Sequence, residues 1–203
     1  MKKFPEIIPV FPLSGVIYFP NTNLPLNIFE QRYLNLVNDA YNKDKLMGMI
    51  QSKKENDAVY DIGCLGKISD YQKSKDGRIM INLTGVSRFK IKKIINNKQK
   101  FIMIDGEELN YNSNFKRKTS ELSTTLLSNF KNYLNIKKIE FNTSEFESLD
   151  ALNLAKIICV ISPLDYLTKQ MLLEFDGSDE LCENLISVLE IEINNYGKST
   201  KIN

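Results

Sequence analysis

Few residues in this chain are of types that do chemistry, and their spacing does not gather them. There is no histidine among the 203 residues. That removes imidazole bases, Ser-His-Asp and Cys-His nucleophile systems, and His-containing metal sites together. Cys64, Cys159 and Cys182 stand far apart with no Cys-x-x-Cys pair, so neither a zinc site nor a redox couple is signalled and they read as small core side chains. Gly197-Lys198-Ser199 ends like a phosphate-binding loop, but Glu192 occupies the place of its first glycine and no strand precedes it. Glu107-Glu108 and Asp179-Glu180 are adjacent carboxylates. Neighbours on a strand or in a first helical turn do not converge on one bond, so these read as solvated surface. Ser-Lys catalysis stays open by composition, yet no motif surrounds any serine. No catalytic residue, metal ligand or cofactor is assigned, and an enzyme of unknown class ranks last among the readings.

Two stretches suit binding instead. Arg88, Lys90, Lys92, Lys93, Lys98 and Lys100 line one strand face and a turn, which suits RNA or an acidic partner, although a solvated strand face is the plainer account. Net charge is +2, but residues 1–118 hold 20 Lys/Arg against 12 Asp/Glu, and residues 119–203 hold 7 against 13. The two halves could therefore attract each other, or the front half could touch something anionic. Lysine outnumbers arginine 23 to 4, which weakens a phosphate-reading role. The second stretch is the aromatic and proline-rich front: Phe11-Pro12-Leu13, Phe19-Pro20 and Leu24-Pro25-Leu26. It reads as barrel closure with a rigid entry into a helix, or as an apolar groove for extended polypeptide.

The positioning elements change character along the chain. Ile7 to Phe11, Val16 to Phe19, Leu46 to Ile50, Ile62 to Gln72, Arg78 to Thr84, Ser87 to Ile95 and Phe101 to Ile104 read as strands. Asp76-Gly77 marks a hairpin, and Asn96-Asn97-Lys98 a turn. Alternation sets Phe89 and Ile91 on one face, with Arg88, Lys90 and Lys92 on the other. Short strands with tight connections predict a small barrel. One helix interrupts them: Phe29, Tyr33, Val37, Ala40 and Tyr41 recur at helical spacing, with Glu30 in the first turn. Beyond residue 110 the period is helical. One stripe is Leu122, Leu126, Phe130, Tyr133 and Leu134, and a second helix runs from about Phe146 to Ile161 with its end buried. A third follows Ser162 as N-cap, and a last runs from Ser178 to Gly197. The expected division is a barrel lobe at 1–112, a four-helix lobe at 113–197 and a frayed tail at 198–203.

Met1-Lys2-Lys3 resembles the start of a secretion signal, but Pro5, Glu6, Pro9 and Pro12 interrupt any apolar stretch. The longest apolar run, Ile157 to Ile161, falls far short of the ~20 residues that span a bilayer. With few thiols, an odd number of them, and no such segment, a cytoplasmic location without a membrane partner is expected.

Phe11-Pro12-Leu13, Val16 to Pro20, Leu24-Pro25-Leu26-Asn27-Ile28-Phe29-Glu30 and Arg32-Tyr33 resemble the opening signature of the Lon protease N-terminal, substrate-binding domain. Gly48-Met49-Ile50, Ile62 to Ile68, Asp76-Gly77-Arg78 and Leu83 to Ile91 continue it in order, and Lys169 to Glu174 is the clearest piece of the helical half. The resemblance implies an α+β fold, a PUA-like β barrel with one inserted helix followed by a C-terminal four-helix bundle. Asn21 replaces the family's usual glycine after Phe-Pro, and asparagine tolerates the same left-handed turn. A full Lon protease continues into ATPase and peptidase modules. This chain is expected to be a stand-alone, non-enzymatic binding member.

The implied ligand is unfolded or exposed apolar polypeptide, with a protease or chaperone acting in trans. RNA on the basic barrel face is the alternative. The candidate polypeptide-binding or motif-bracing residues are Phe19, Pro20, Leu24, Pro25, Phe29, Glu30, Arg32, Tyr33, Arg88 and Phe89. Arg88 is expected to brace the barrel against the first helix through Glu30.

Overall fold

Short runs rich in β-branched and aromatic residues recur through the first hundred positions, and most of these runs form strands. A computed structural model describes residues 4–53, 58–96, 101–112 and 118–199, with residues 197–199 described by backbone alone. The strands are β1 (Ile7–Leu13), β2 (Asn23–Ile28), β3 (Leu46–Gln51), β4 (Ile62–Lys73), β5 (Ile79–Ile95) and β6 (Ile102–Leu109). The helices are α1 (Gln31–Tyr41), α2 (Thr119–Lys137), α3 (Ala151–Ile161), α4 (Tyr166–Glu174) and α5 (Ser178–Ser199). The class is α+β, with one six-stranded sheet.

The strand order is β2-β5-β4-β3-β1-β6, and an extra β5–β6 pairing closes β5, β4, β3, β1 and β6 into a ring, leaving β2 attached only to β5. β5 makes this possible through its 17 residues. Its first half pairs with β2, from Ile79 opposite Ile28 to Thr84 opposite Asn23. Its second half pairs with β6, from Arg88 opposite Leu109 to Ile95 opposite Met103. Two strands were expected here. They are one, because the irregularity at Gly85 is only a bulge: Leu65 pairs with Ser87 and Gly66 with Gly85, leaving Val86 over. Ile8, Val10, Ile50, Leu65, Phe89 and Ile104 form the ring's core.

The Asp76-Gly77 hairpin forms as expected, with Gly77 at φ 89° and Ser74 N–H donating to Arg78 O at 2.8 Å. Val16 to Phe19 does not form a strand. It leads, buried from Ile17 onward, into a turn, and β2 begins four residues beyond Phe19. Tight turning at Pro20-Asn21 is the reason, since Pro20 fixes one dihedral and Asn21 takes a left-handed φ of 65°. Phe29 is not part of the helical stripe: α1 starts at Gln31, and Glu30 is its N-cap rather than a first-turn residue. Residues 97–100 and 113–117 lie outside the described residues, so the expected Asn96-Asn97-Lys98 turn, Lys98, Lys100 and part of the 111–114 bridge do as well. Most of the expected tail, 200–203, lies outside them too, while α5 runs on through Gly197 to Ser199.

The chain divides into two compact units. One is Met1–Asn110 with Asp165–Leu173, the other Tyr111–Leu164 with Glu174–Asn203. In the second, α2, α3 and α5 pack on one another through Leu122, Leu126, Phe130, Leu154, Ile158, Leu181 and Leu185, all fully buried or within 1% of it. Helix α4 belongs instead to the strand unit, a departure from four helices in one lobe.

Two helix starts fall later than expected, and an aspartate explains each. Asp150 caps α3 by accepting from Asn153 N–H at 2.9 Å, with only a single 3-10 turn at Ser144–Phe146 before it. Asp165, not Ser162, caps α4: its Oδ1 accepts from Leu167 N–H at 2.9 Å and Thr168 N–H at 3.0 Å, and its Oδ2 from the Thr168 hydroxyl at 2.6 Å. Ser162 closes α3 instead. The hydrogen bonds from the Thr168 side chain and then its backbone hold the Asp165 carboxyl below its ordinary range. A depressed folded value stabilises above the unfolded value and is lost as pH falls through the folded one. Asp165→Ala is therefore expected to cost about 1 kcal/mol near neutral pH and almost nothing in acid, read from denaturant melts at both.

Candidate functional site

Phe19-Pro20-Asn21-Thr22 is a locked turn. Thr22 N–H donates to Phe19 O at 3.1 Å, closing a turn with proline second and a left-handed residue third. The Thr22 hydroxyl donates to Phe19 O at 2.7 Å and accepts from Phe19 N–H at 3.1 Å. Asn21 N–H reaches Gly85 O at 3.0 Å, and Gly85 N–H returns to Thr22 O at 2.8 Å. A Cβ on Gly85 would collide with the Phe19 carbonyl oxygen and lie 3.0 Å from Pro20 Cα, so only glycine lets the turn lie on the bulge. Phe19 and Pro20 are buried and serve packing.

The chain then runs out along β2, where Leu24 is half-buried and Pro25 exposed. Phe29 follows at 67% exposure. Glu30 and Arg32 form an exposed ion pair at 3.4 Å, worth little in water. Tyr33 turns inward against Phe11, ring centroids 4.1 Å apart, with the Arg32 guanidinium 4.6 Å from the Tyr33 ring centre. Behind the turn, Tyr18 is buried and its hydroxyl donates to Cys64 O at 3.3 Å. Burial first, then Cys64, pushes that phenol well above its ordinary value.

Arg88 and Phe89 are consecutive on β5 and fully buried, on opposite sides of the strand. Phe89 fills the ring's core. Arg88 does not pair with Glu30, whose partner is Arg32. Its Nη1 donates to Leu173 O of α4 at 2.9 Å. A second clamp is the Gln170 side-chain amide, which donates to Ile62 O at 3.1 Å. So Arg88 braces the ring, but against α4 rather than α1. Gln170 and Leu173 were not expected in this role. Both lie in the Lys169–Glu174 stretch that carried the resemblance, but no local pattern says that this helix returns to the strands.

The ten expected residues therefore separate. Phe19, Pro20, Tyr33, Arg88 and Phe89 are buried supports, Leu24 is half-buried, and Pro25, Phe29, Glu30 and Arg32 are exposed along the end of β2 and the entry to α1. On the basic strand, Lys90 lies opposite Glu107 and Lys93 opposite Asp105. Lys92 is 3.8 Å from Glu107, so the lysines alternate with carboxylates instead of forming an uninterrupted positive face.

The three cysteines are all buried. Burial, then the charges of Asp150, Asp179 and Glu183, pushes the Cys182 thiol up to about 12, far from a nucleophile's range. Among the described residues, no group of three or more Cys, Asp or Glu is placed to hold a metal, and no helix is long and apolar enough to cross a membrane.

Residues 7–190 match the family model described as the ATP-dependent protease La (LON) substrate-binding domain. This chain belongs to the Lon substrate-binding domain family. Among its curated relatives is the Lon protease of Buchnera aphidicola subsp. Acyrthosiphon pisum, 29% identical over 200 residues that cover 92% of this chain and 25% of that protein. The Lon protease of Escherichia coli K12 is 27% identical over 195 residues, with 92% and 25% covered. The chain thus spans about a quarter of the length of the Lon proteases it matches. Two solved structures share the fold. A Lon N-terminal domain protein from Xanthomonas campestris has a TM-score of 0.69 at 20% identity, covering 89% of this chain and 97% of that one. The N-terminal domain of the Mycobacterium avium complex Lon protease has a TM-score of 0.70 at 17% identity, covering 91% and 98%. The part shared with Lon proteases is the substrate-binding domain, and neither the ATPase nor the peptidase module is part of the match.

Proposed function

We propose that this protein is a non-catalytic, cytoplasmic module that takes up unfolded polypeptide or exposed apolar segments and passes them to a protease or chaperone acting in trans, as part of protein quality control. The observation that carries this reading is the family match across residues 7–190, confined to the substrate-binding part of Lon proteases. We read the closed ring of strands as the family's PUA-like barrel and the helices as its bundle, with α4 returned to the strands.

Uptake by burial of apolar side chains contributes roughly 25 cal/mol per Å² before the cost of ordering the client is subtracted. Affinity is then modest, tolerant of sequence and conditional on the client being unfolded. The test is an anisotropy titration of the whole chain against one labelled protein in folded and in permanently unfolded, carboxymethylated form. The expected result is binding of the unfolded form alone. Equal affinity for both forms, or none for either, overturns the proposal.

The RNA reading rests on the same exposed Lys90, Lys92 and Lys93, and the neighbouring Asp105 and Glu107 count against it. Its mark is a steep fall of affinity with salt and a loss of binding when the three lysines are reversed to glutamate.

A further inference from the structure

Among the described residues, β2 has a single neighbouring strand. β2 pairs with β5 on one side and ends the strand order on the other. The hydrogen bond from Gly85 N–H to Thr22 O continues the β2–β5 register and sets its parity. Leu24, Leu26 and Ile28 turn their N–H and C=O groups toward β5, and Asn23, Pro25 and Asn27 turn theirs away. These three residues are exposed, and among the described residues no backbone hydrogen bond from outside the sheet reaches them. Because Pro25 has no N–H, the edge offers two donors and three acceptors, spaced two residues apart.

Edges of this kind are commonly guarded by a lysine, a bulge or a covering segment. The sequence Asn-Leu-Pro-Leu-Asn-Ile carries no charge, and its only guard is Pro25. The chemistry of the edge also identifies its occupant. Donors and acceptors alternating along one line, about 6.8 Å per repeat, are matched by another extended backbone. A second copy of β2 is a poor match. Pairing about a two-fold axis at Pro25 sets Asn23 opposite Asn27 and Pro25 opposite Pro25, which deletes both hydrogen bonds at the centre. A foreign segment loses only one there.

We infer that the outer edge of β2 captures an extended segment of client polypeptide as an added strand, bonded to the backbone of Asn23, Pro25 and Asn27. This inference rests on the uptake proposed above and says how uptake tolerates sequence: backbone pairing reads no side chain. Phe29, 67% exposed just past the strand, gives the end of the segment an apolar contact.

The test is residue-resolved amide exchange on the whole chain, with and without a saturating, permanently unfolded carboxymethylated protein. It is joined by the affinity of Asn27→Pro, which deletes one of the two donors. The expected results are slowed exchange at the Asn23 and Asn27 amides and an affinity about tenfold lower for the variant, the loss of one hydrogen bond. If the variant does not fold, the exchange of the natural chain decides alone. Binding with both amides unprotected overturns the edge and leaves the proposed function standing, as does a folded Asn27→Pro that binds like the natural chain. Absence of any binding overturns both.

Discussion

Phe89→Ala is expected to lower the stability of the strand unit by about 3–5 kcal/mol, among the largest costs of any single truncation there. The reason lies in what surrounds the ring. Phe89 is fully buried among Ile8, Val10, Ile50, Leu65 and Ile104. Two neighbouring positions are glycines with no space to spare: a Cβ on Gly63 would lie 2.6 Å from Phe89 Cζ, and one on Gly48 2.9 Å from Cε1. The aromatic ring occupies the volume that those two backbones leave empty, and neither has a side chain to collapse into the vacated space. The cost therefore approaches the upper end of the transfer-plus-cavity range. Urea melts read it as a lowered midpoint with an unchanged slope, and a loss under about 1 kcal/mol contradicts the account.

Arg88→Ala is expected to cost about 3 kcal/mol, and its signature is regional. The guanidinium is fully buried and donates to Leu173 O at 2.9 Å, so truncation leaves both a cavity and a buried carbonyl short of a donor. At roughly 2–4 °C per kcal/mol, the melting temperature falls by about 6–12 °C. Because the lost contact ties α4 to β5, amide exchange in Tyr166–Glu174 rises more than in the strands. Gln170 keeps its own bond to Ile62 O, so α4 loosens without departing. Arg88→Lys recovers only part of the loss, since a lysine is a shorter point donor without the fork. A variant with natural stability and unchanged α4 exchange removes Arg88 from this role.

These two neighbours mark what a sequence can and cannot say. Alternation along residues 87–95 places Phe89 and Arg88 on opposite faces of the strand, yet both are fully buried. What alternation cannot supply is the cover. Arg88 is buried because a helix some eighty residues later returns to the strands, and nothing local to β5 or α4 encodes that return. The same limit explains the Glu30 pairing: two charged residues within apolar motifs suggest each other, but Glu30 finds Arg32 two residues away, in solvent. Turn chemistry was legible where a single residue type decides the backbone, at Gly77 and at Asn21. β2 was hidden because Pro25 argues against a strand unless the strand is an edge, and edges are defined only once the whole sheet is closed. α3 starts later than its apolar periodicity because that periodicity extends past the Asp150 cap, and α4 starts later than a Ser162 cap implies because Asp165 accepts the capping hydrogen bonds.

The proposed uptake depends on apolar burial and backbone pairing, not on the net positive charge of the front half. It is tested most directly by isothermal titration of the whole chain with a permanently unfolded polypeptide at about 0.05 M and about 0.5 M salt, a range over which exposed charges become largely screened. The expected result is an affinity that changes by less than about threefold and a negative heat-capacity change of binding, the mark of apolar surface leaving water. Binding that disappears at the higher salt, or heat without a heat-capacity change, contradicts it.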